Sequence, residues 1–183
     1  MLPKKDYVYM IEDSEAKAII ISSNLIDQFE SIINTKKNSP LLIVEESKKY
    51  LNLNLLINQT EGSHDNPCDS NEEDVAFWLY SSGSTGSPKG TLHIQKSMIA
   101  TASTYAKNII KINDNDIFFS AAKIFFAYGL GNALTFPMSV GATSILMSDR
   151  PTPESITNII KKYSVSLFFG VPTLFAALLN SKI

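Results

Sequence analysis

The run Tyr80-Ser81-Ser82-Gly83-Ser84-Thr85-Gly86-Ser87-Pro88-Lys89-Gly90 gathers donors and small residues in one place. That composition suits a polyanion. Glycines at 83, 86 and 90 let the backbone approach closely and take positive φ. Ser81, Ser82, Ser84, Thr85 and Ser87 supply hydroxyl donors. Successive backbone N–H groups in such a turn form an anion-binding concavity, and Lys89 adds a mobile point charge. The run therefore reads as a nucleotide-phosphate-binding loop. Its spacing is not the Walker pattern Gly-x4-Gly-Lys-[Ser/Thr], because Lys89 follows Gly86 by three residues and lies between Pro88 and Gly90. Nor is it the dinucleotide pattern Gly-x-Gly-x-x-Gly. A Gly/Ser linker is the competing reading, but it does not explain the apolar strand directly before the run or the closing Pro-Lys-Gly.

The elements that must hold this loop alternate between short apolar runs and helical stretches. Residues 18–22 are short and β-branched, as buried strands are, and Leu41–Val44 reads as a second strand. Between them Asn24 is the expected N-cap of a helix with Leu25, Phe29, Ile32 and Ile33 on one face. Residues 75–80 form an apolar strand running into the loop, and a helix is expected over 94–110, so that the loop follows a strand and precedes a helix. Further strands are expected at 116–121, 142–147 and 166–171. A small-residue helix or turn is expected over 129–140, and Pro153 and Pro172 open helices, as proline does in a first turn. Strands buried on both faces and alternating with helices predict an α/β fold with a mostly parallel sheet flanked by helices. Residues 58–73 are polar, with Gly62, Pro67 and several acids. They divide a βαβ-like subregion, 1–57, from a second subregion, 74–183, that carries the loop.

Composition narrows the function further. The chain has 183 residues, 44% hydrophobic and 19% charged, with a formal net charge of −2. This is the balance of a soluble globular protein with no bulk attraction to nucleic acid or an anionic membrane. Lys4-Lys5 reads as a solvated terminus. The single cysteine, Cys68, has no internal disulfide partner, which fits a reducing compartment. No apolar run approaches the roughly 18 residues of a membrane span, and no signal-peptide layout is seen. A cytoplasmic protein without nucleic-acid or membrane partners is expected. No metal-ligand cluster appears. His93 reads as a capping or surface residue, with phosphate contact as the competing role, and His64 lies unsupported in the polar segment.

The segment from Leu79 through Gly90 resembles the signature loop of the adenylate-forming (AMP-binding) superfamily. Several other segments are similar to its benzoate- and hydroxybenzoate-CoA ligase subgroup. They are Tyr9-Met10-Ile11-Glu12-Asp13-Ser14, Lys123-Ile124-Phe125-Phe126-Ala127-Tyr128-Gly129-Leu130-Gly131-Asn132, Leu134-Thr135-Phe136-Pro137, Gly141-Ala142-Thr143, Arg150-Pro151-Thr152-Pro153 and Phe169-Gly170-Val171-Pro172-Thr173-Leu174. The resemblance implies activation of an aromatic acid with ATP and transfer to coenzyme A, with Mg2+ held mainly by phosphate oxygens and water. On this sequence it implies that Ser81, Ser82, Gly83, Ser84, Thr85, Gly86 and Lys89 bind the β- and γ-phosphates. Ala127, Tyr128, Gly129 and Gly170 would border the acid pocket. Tyr128 offers a flat apolar face with a polar tip, and Gly129 and Gly131 would keep the wall thin. Phe125 and Phe126 are expected in the core.

Members of that family are considerably longer. Their Tyr-Gly-x-Thr-Glu and Thr-Gly-Asp motifs, hinge, and C-terminal domain with its catalytic lysine do not occur in these residues. The chain is therefore expected to be an incomplete piece of the large N-terminal domain. It would be inactive alone, with no catalytic residue of its own, and its apolar sheet edges would favour self-association. Two other readings stay open. One is a non-catalytic remnant or interaction module; the other is an adenylating parent acting on fatty or amino acids.

Overall fold

The computed structural model describes residues 2–33, 39–60, 62, 66, 68–82 and 88–181. The chain divides into two compact units, Met1–Ser70 with Tyr80–Thr91, and Asn71–Leu79 with Leu92–Ile183.

The first unit opens with α1 (Lys4–Asp13), followed by β1 (Ala18–Ile21), a 3-10 turn over Ser23–Leu25 and α2 (Ile26–Ile33). Next come β2 (Leu41–Val44), β3 (Leu51–Asn52) and α3 (Leu53–Gln59), with the Asn52 side chain capping α3 through the Leu55 N–H. The strands make a three-stranded parallel sheet in sequential order, β1-β2-β3, with Ala18 opposite Leu41 and Ile43 opposite Leu51. Phe29 and Ile32 of α2 pack with Ile21, Leu42 and Val44, and Tyr7, Val8 and Ile11 of α1 join the same cluster. The other face of the sheet is open, with Ile20 61% exposed. Expectation and structure part here: residues 18–22 read as a strand buried on both faces, and only one face is covered. Asn24 is not a cap either; it lies inside the 3-10 turn, which closes from Leu25 N–H to the Ser22 carbonyl at 3.0 Å. On α2, Glu30 accepts from Lys49 Nζ at 2.8 Å and Tyr50 Oη at 2.7 Å. These bonds, that from Lys49 foremost, hold its carboxyl below the ordinary range.

Two strands run from one unit to the other. They are β4 (Val75–Ser82) and β5 (Pro88–Ile94), and they pair as a two-stranded sheet. The residues between Ser82 and Pro88 are too few for a parallel crossover, so the pair is antiparallel. The expected helix after the loop is thus preceded by a strand. Proline and glycine at 88 and 90 hide it in the sequence, and pairing with β4 overrides their low strand propensity.

In the second unit α4 (Gln95–Thr101) continues in π-helical form over Ala102–Ile110. Then follow β6 (Ile117–Ser120), α5 (Ala127–Leu130), a π-helical stretch Gly131–Thr135, α6 (Phe136–Met138) and β7 (Thr143–Ile145). The unit closes with α7 (Pro153–Tyr163), β8 (Leu167–Phe169) and α8 (Pro172–Asn180). Thr152 and Ser155 form a capping box at the start of α7. The sheet is parallel with order β7-β6-β8, and its strands are shorter at each end than the sequence suggests. Phe118 and Phe119 are neighbours on β6, so they point to opposite faces; both are 0% exposed, and the sheet is covered on both sides. Phe118 packs with Ala102, Ala106 and Phe136 on one side. On the other side Phe119 stacks on Phe168 at 5.5 Å, and Phe168 meets Phe175 of α8 edge-on at 5.6 Å.

A polar turn starts β6. Asp116 Oδ2 accepts from the Asn113 backbone N–H and side-chain amide at 2.8 and 3.0 Å. Its Oδ1 accepts from Ser166 Oγ, just before β8, at 2.8 Å, and its carbonyl accepts from Thr143 N–H on β7 at 3.1 Å.

Candidate functional site

Strand order places the site. From β6 the chain passes to β7 on one side, then returns to β8 on the other. The carboxyl ends of adjacent strands whose connections diverge in this way leave a crevice, the usual ligand position in open α/β sheets. A cleft of about 340 Å³ lies there. Ala121 and Ala122, directly after β6, and Gly170 and Val171, directly after β8, form its floor. Tyr128 of α5, Pro151 and Pro153 at the entry to α7, and Leu174 of α8 add walls. The size is at the lower end of small-molecule pockets, which run from roughly 300 to 1,000 Å³. The cleft is mostly apolar with few polar groups, a lining that accepts a compact, flat, apolar ligand. A second cleft of about 330 Å³, beside Met98, Ile99 and Met138, lies along a helix flank away from the strand ends.

Tyr128 gives the cleft its polar point. Its hydroxyl donates to the Gly170 carbonyl at 3.3 Å, joining two residues 42 apart in sequence. Burial, with a smaller contribution from Tyr105, raises its hydroxyl above the ordinary tyrosine range, so it stays neutral and able to donate at physiological pH. Gly170 allows the chain to pass between Leu174, Phe175 and Phe168, each within 3.4 Å of where a Cβ would stand. Ala127 is exposed, and Gly129 is buried. A Cβ on Gly129 would stand 2.0 Å from the Lys123 carbonyl oxygen, so glycine lets α5 press on the turn before it. Phe125 and Phe126, expected in the core, are 75% and 57% exposed; their rings pack on each other at 4.5 Å. The turn at 122–126 carries them outward from the strand end, where no element of their own unit covers them.

Of the phosphate-loop residues, Gly83, Ser84, Thr85 and Gly86 lie outside the described residues, as do Ser87 and His64. Ser81 and Ser82 end β4, and Ser81 is exposed. Lys89 lies on β5 with its side chain exposed. Beside them Tyr80 donates to Asp13 Oδ2 at 2.7 Å, and burial followed by that bond pushes its hydroxyl up to about 12. His93 is neither a cap nor a surface residue. It is half-buried, and its ring stacks on Phe77 at 4.9 Å and 7°.

Sequence reasoning passed over Lys123. Its ammonium donates to the carbonyls of Met147, Ser148 and Asp149, the latter two at 2.8 Å. Pro151 and Pro153 were also given no role at the site, although they stand in a segment resembling the aryl-CoA ligases and Pro153 reads as a helix start. Among the described residues no group of three or more His, Cys, Asp or Glu side chains could hold a metal ion. A magnesium ion carried by phosphate oxygens and water does not require such a cluster. No helix among the described residues is long and apolar enough to cross a membrane, and Cys68 is exposed without a disulfide partner.

Known proteins place this architecture. A benzoate–CoA ligase of Thauera aromatica is 42% identical over 98% of the chain, which spans 34% of that ligase's length. The crystal structure of a benzoate CoA ligase from Burkholderia xenovorans LB400 superposes on the whole chain with a TM-score of 0.89 and 42% identity, the chain covering 35% of it. That of an anthranilate CoA ligase in complex with anthranoyl-AMP superposes with a TM-score of 0.92 at 29% identity, again over 100% of this chain and 36% of the other. The model of the AMP-binding enzyme family matches residues 1–183, and with the parallel sheets and flanking helices described above it shows that the chain belongs to that family.

Proposed function

We propose that the full-length protein is an aryl-acid–CoA ligase and that this chain supplies its phosphate loop and part of its acid pocket. The observation that carries this reading is the cleft at the carboxyl ends of β6 and β8, with the Tyr128 hydroxyl on the Gly170 carbonyl. The similarity to benzoate and anthranilate CoA ligases supports an aromatic acid. In the proposed reaction a carboxylate oxygen attacks the α-phosphorus of ATP and pyrophosphate leaves. The thiol of coenzyme A then attacks the acyl carbon of the adenylate, giving the thioester and AMP. Ser81, Ser82, Gly83, Ser84, Thr85, Gly86 and Lys89 hold the β- and γ-phosphates and neutralise the charge that builds on departing pyrophosphate. Magnesium would be held mainly by the nucleotide's phosphate oxygens and water, and would supply further charge neutralisation there. Ala127, Tyr128, Gly129 and Gly170 shape the acid's surroundings, Tyr128 by contact with the ring and Gly129 by seating α5. The lone exposed cysteine fits work in the cytoplasm.

The test is pyrophosphate release by the full-length protein with ATP, coenzyme A, and a panel of benzoates, medium-chain acids and amino acids. Release is expected with benzoate or a close analogue, and Lys89→Ala is expected to lower ATP-dependent turnover by about tenfold or more through loss of a charge-assisted phosphate contact. Release with fatty or amino acids alone would overturn the aryl assignment.

A further inference from the structure

We propose that Lys123 is a positioning residue that sets the width of the acid cleft, an inference that rests on the aryl-ligase reading of that cleft. An ammonium has three N–H donors and no acceptor. Here they meet three successive carbonyls, those of Met147, Ser148 and Asp149. Among the described residues Lys123 forms no salt bridge. Its charge is spent on backbone dipoles, in a half-buried position where a water-filled alternative is less available.

Each end of this residue bonds to a segment that leads into a wall of the cleft. The carbonyls it gathers lie just before Pro151 and Pro153, which form one wall. Its own carbonyl accepts from Phe126 N–H at 3.0 Å and is the atom against which Gly129 is seated. Phe126 precedes and Gly129 lies within α5, the helix that presents Tyr128 on the other wall. One residue thus ties the proline wall to the tyrosine wall. The geometry is particular to lysine. A tetrahedral ammonium can reach three convergent carbonyls at once, whereas the planar guanidinium of arginine directs its donors outward in a fork. An apolar side chain would leave the carbonyls of 147–149 without this donor.

The full-length protein serves for the experiment, as Lys123→Met and Lys123→Arg. Both variants are expected to raise KM for benzoate about tenfold and to narrow the discrimination against bulkier ring-substituted benzoates, with KM for ATP unchanged, because misplaced walls loosen the substrate's pose. Amide hydrogen exchange at residues 147–150 is expected to speed in both. Arginine keeps charge and length, so it tests the geometry even where the methionine variant folds poorly. Wild-type acid discrimination in Lys123→Arg would overturn the proposal, since charge alone would then suffice. Unchanged exchange at 147–150 would overturn it too, and so would a rise in KM for ATP equal to that for benzoate. If the wild-type protein activates no aryl acid, the ligase reading fails, and the exchange measurement alone decides whether the lysine clamp exists.

Discussion

Among the described residues two parallel sheets have equal strand number, and they are put to different use. In the first the strands follow chain order, β1-β2-β3; in the second the order is β7-β6-β8. The first is covered on one face and carries exposed Ile20 and Leu41; the second buries Phe118 and Phe119 on opposite faces. The cleft belongs to the second sheet alone. Sequential order sends successive crossovers the same way across the sheet, so no two connections diverge and no crevice opens at the carboxyl ends. A reversal of order separates the connections and leaves a gap between them. The difference teaches that strand order and two-sided cover position the pocket, while apolar strand composition by itself does not, since β1 is as apolar as β6.

Paired substitutions test that contrast, the largest effect first. Phe119→Ala is expected to destabilise by about 4 kcal/mol in urea unfolding, as buried Phe truncations do, while Ile20→Ala on the open face of β1 costs a small fraction of that. Equal losses would mean that both sheets are covered on both sides. Next is Gly129→Ala, which places a methyl against backbone and is expected to cost about 2 kcal/mol and to disturb the Tyr128 wall. Gly62→Ala in the first unit meets nothing within 4 Å and is expected to leave stability near wild type. A silent Gly129→Ala would show that α5 does not need this close approach.

The smallest effect concerns the first unit and alkaline pH. The Tyr80 hydroxyl is held at about 12, above the roughly 10 of an unfolded tyrosine. The folded state therefore keeps the proton longer than the unfolded one. This contribution is complete below about pH 10 and is lost as pH rises to about 12. Urea midpoints of wild type and Tyr80→Phe should thus converge across that window. A constant gap would show that burial and the Asp13 bond do not raise the Tyr80 hydroxyl in the folded state.

What could be read in the residues was local chemistry. Thr152 before Pro153 announces a capped helix start, and α7 begins there. The apolar runs at 41–44 and 117–120 are strands because their β-branched and aromatic residues need cover. The features that escaped depend on distant partners. Helix α1 buries no residue fully and only half-buries Tyr7, Val8 and Ile11, so its apolar face is weakly marked. β5 exists because β4 lies beside it. Phe125 and Phe126 obey hydropathy only if something covers them. At the site, the resemblance drew attention to Tyr128, Gly170 and the segment at 150–153. That Tyr128 reaches Gly170, or that Lys123 reaches 147–149, follows from strand order and has no local mark.

Asp116 makes the opposite end of the second sheet informative in another way. Its turn closes over four residues, so little chain entropy stands against its formation, and it does not have to wait for the sheet. The same residue touches the start of β6, β7 and β8. A slip of one residue would exchange Phe118 with Phe119 between the two faces. The turn at Asp116 therefore acts as an alignment mark for the register of β6 against β7 and β8. The register it marks decides which phenylalanine faces which helix layer, and with that where the far ends of β6 and β8 open.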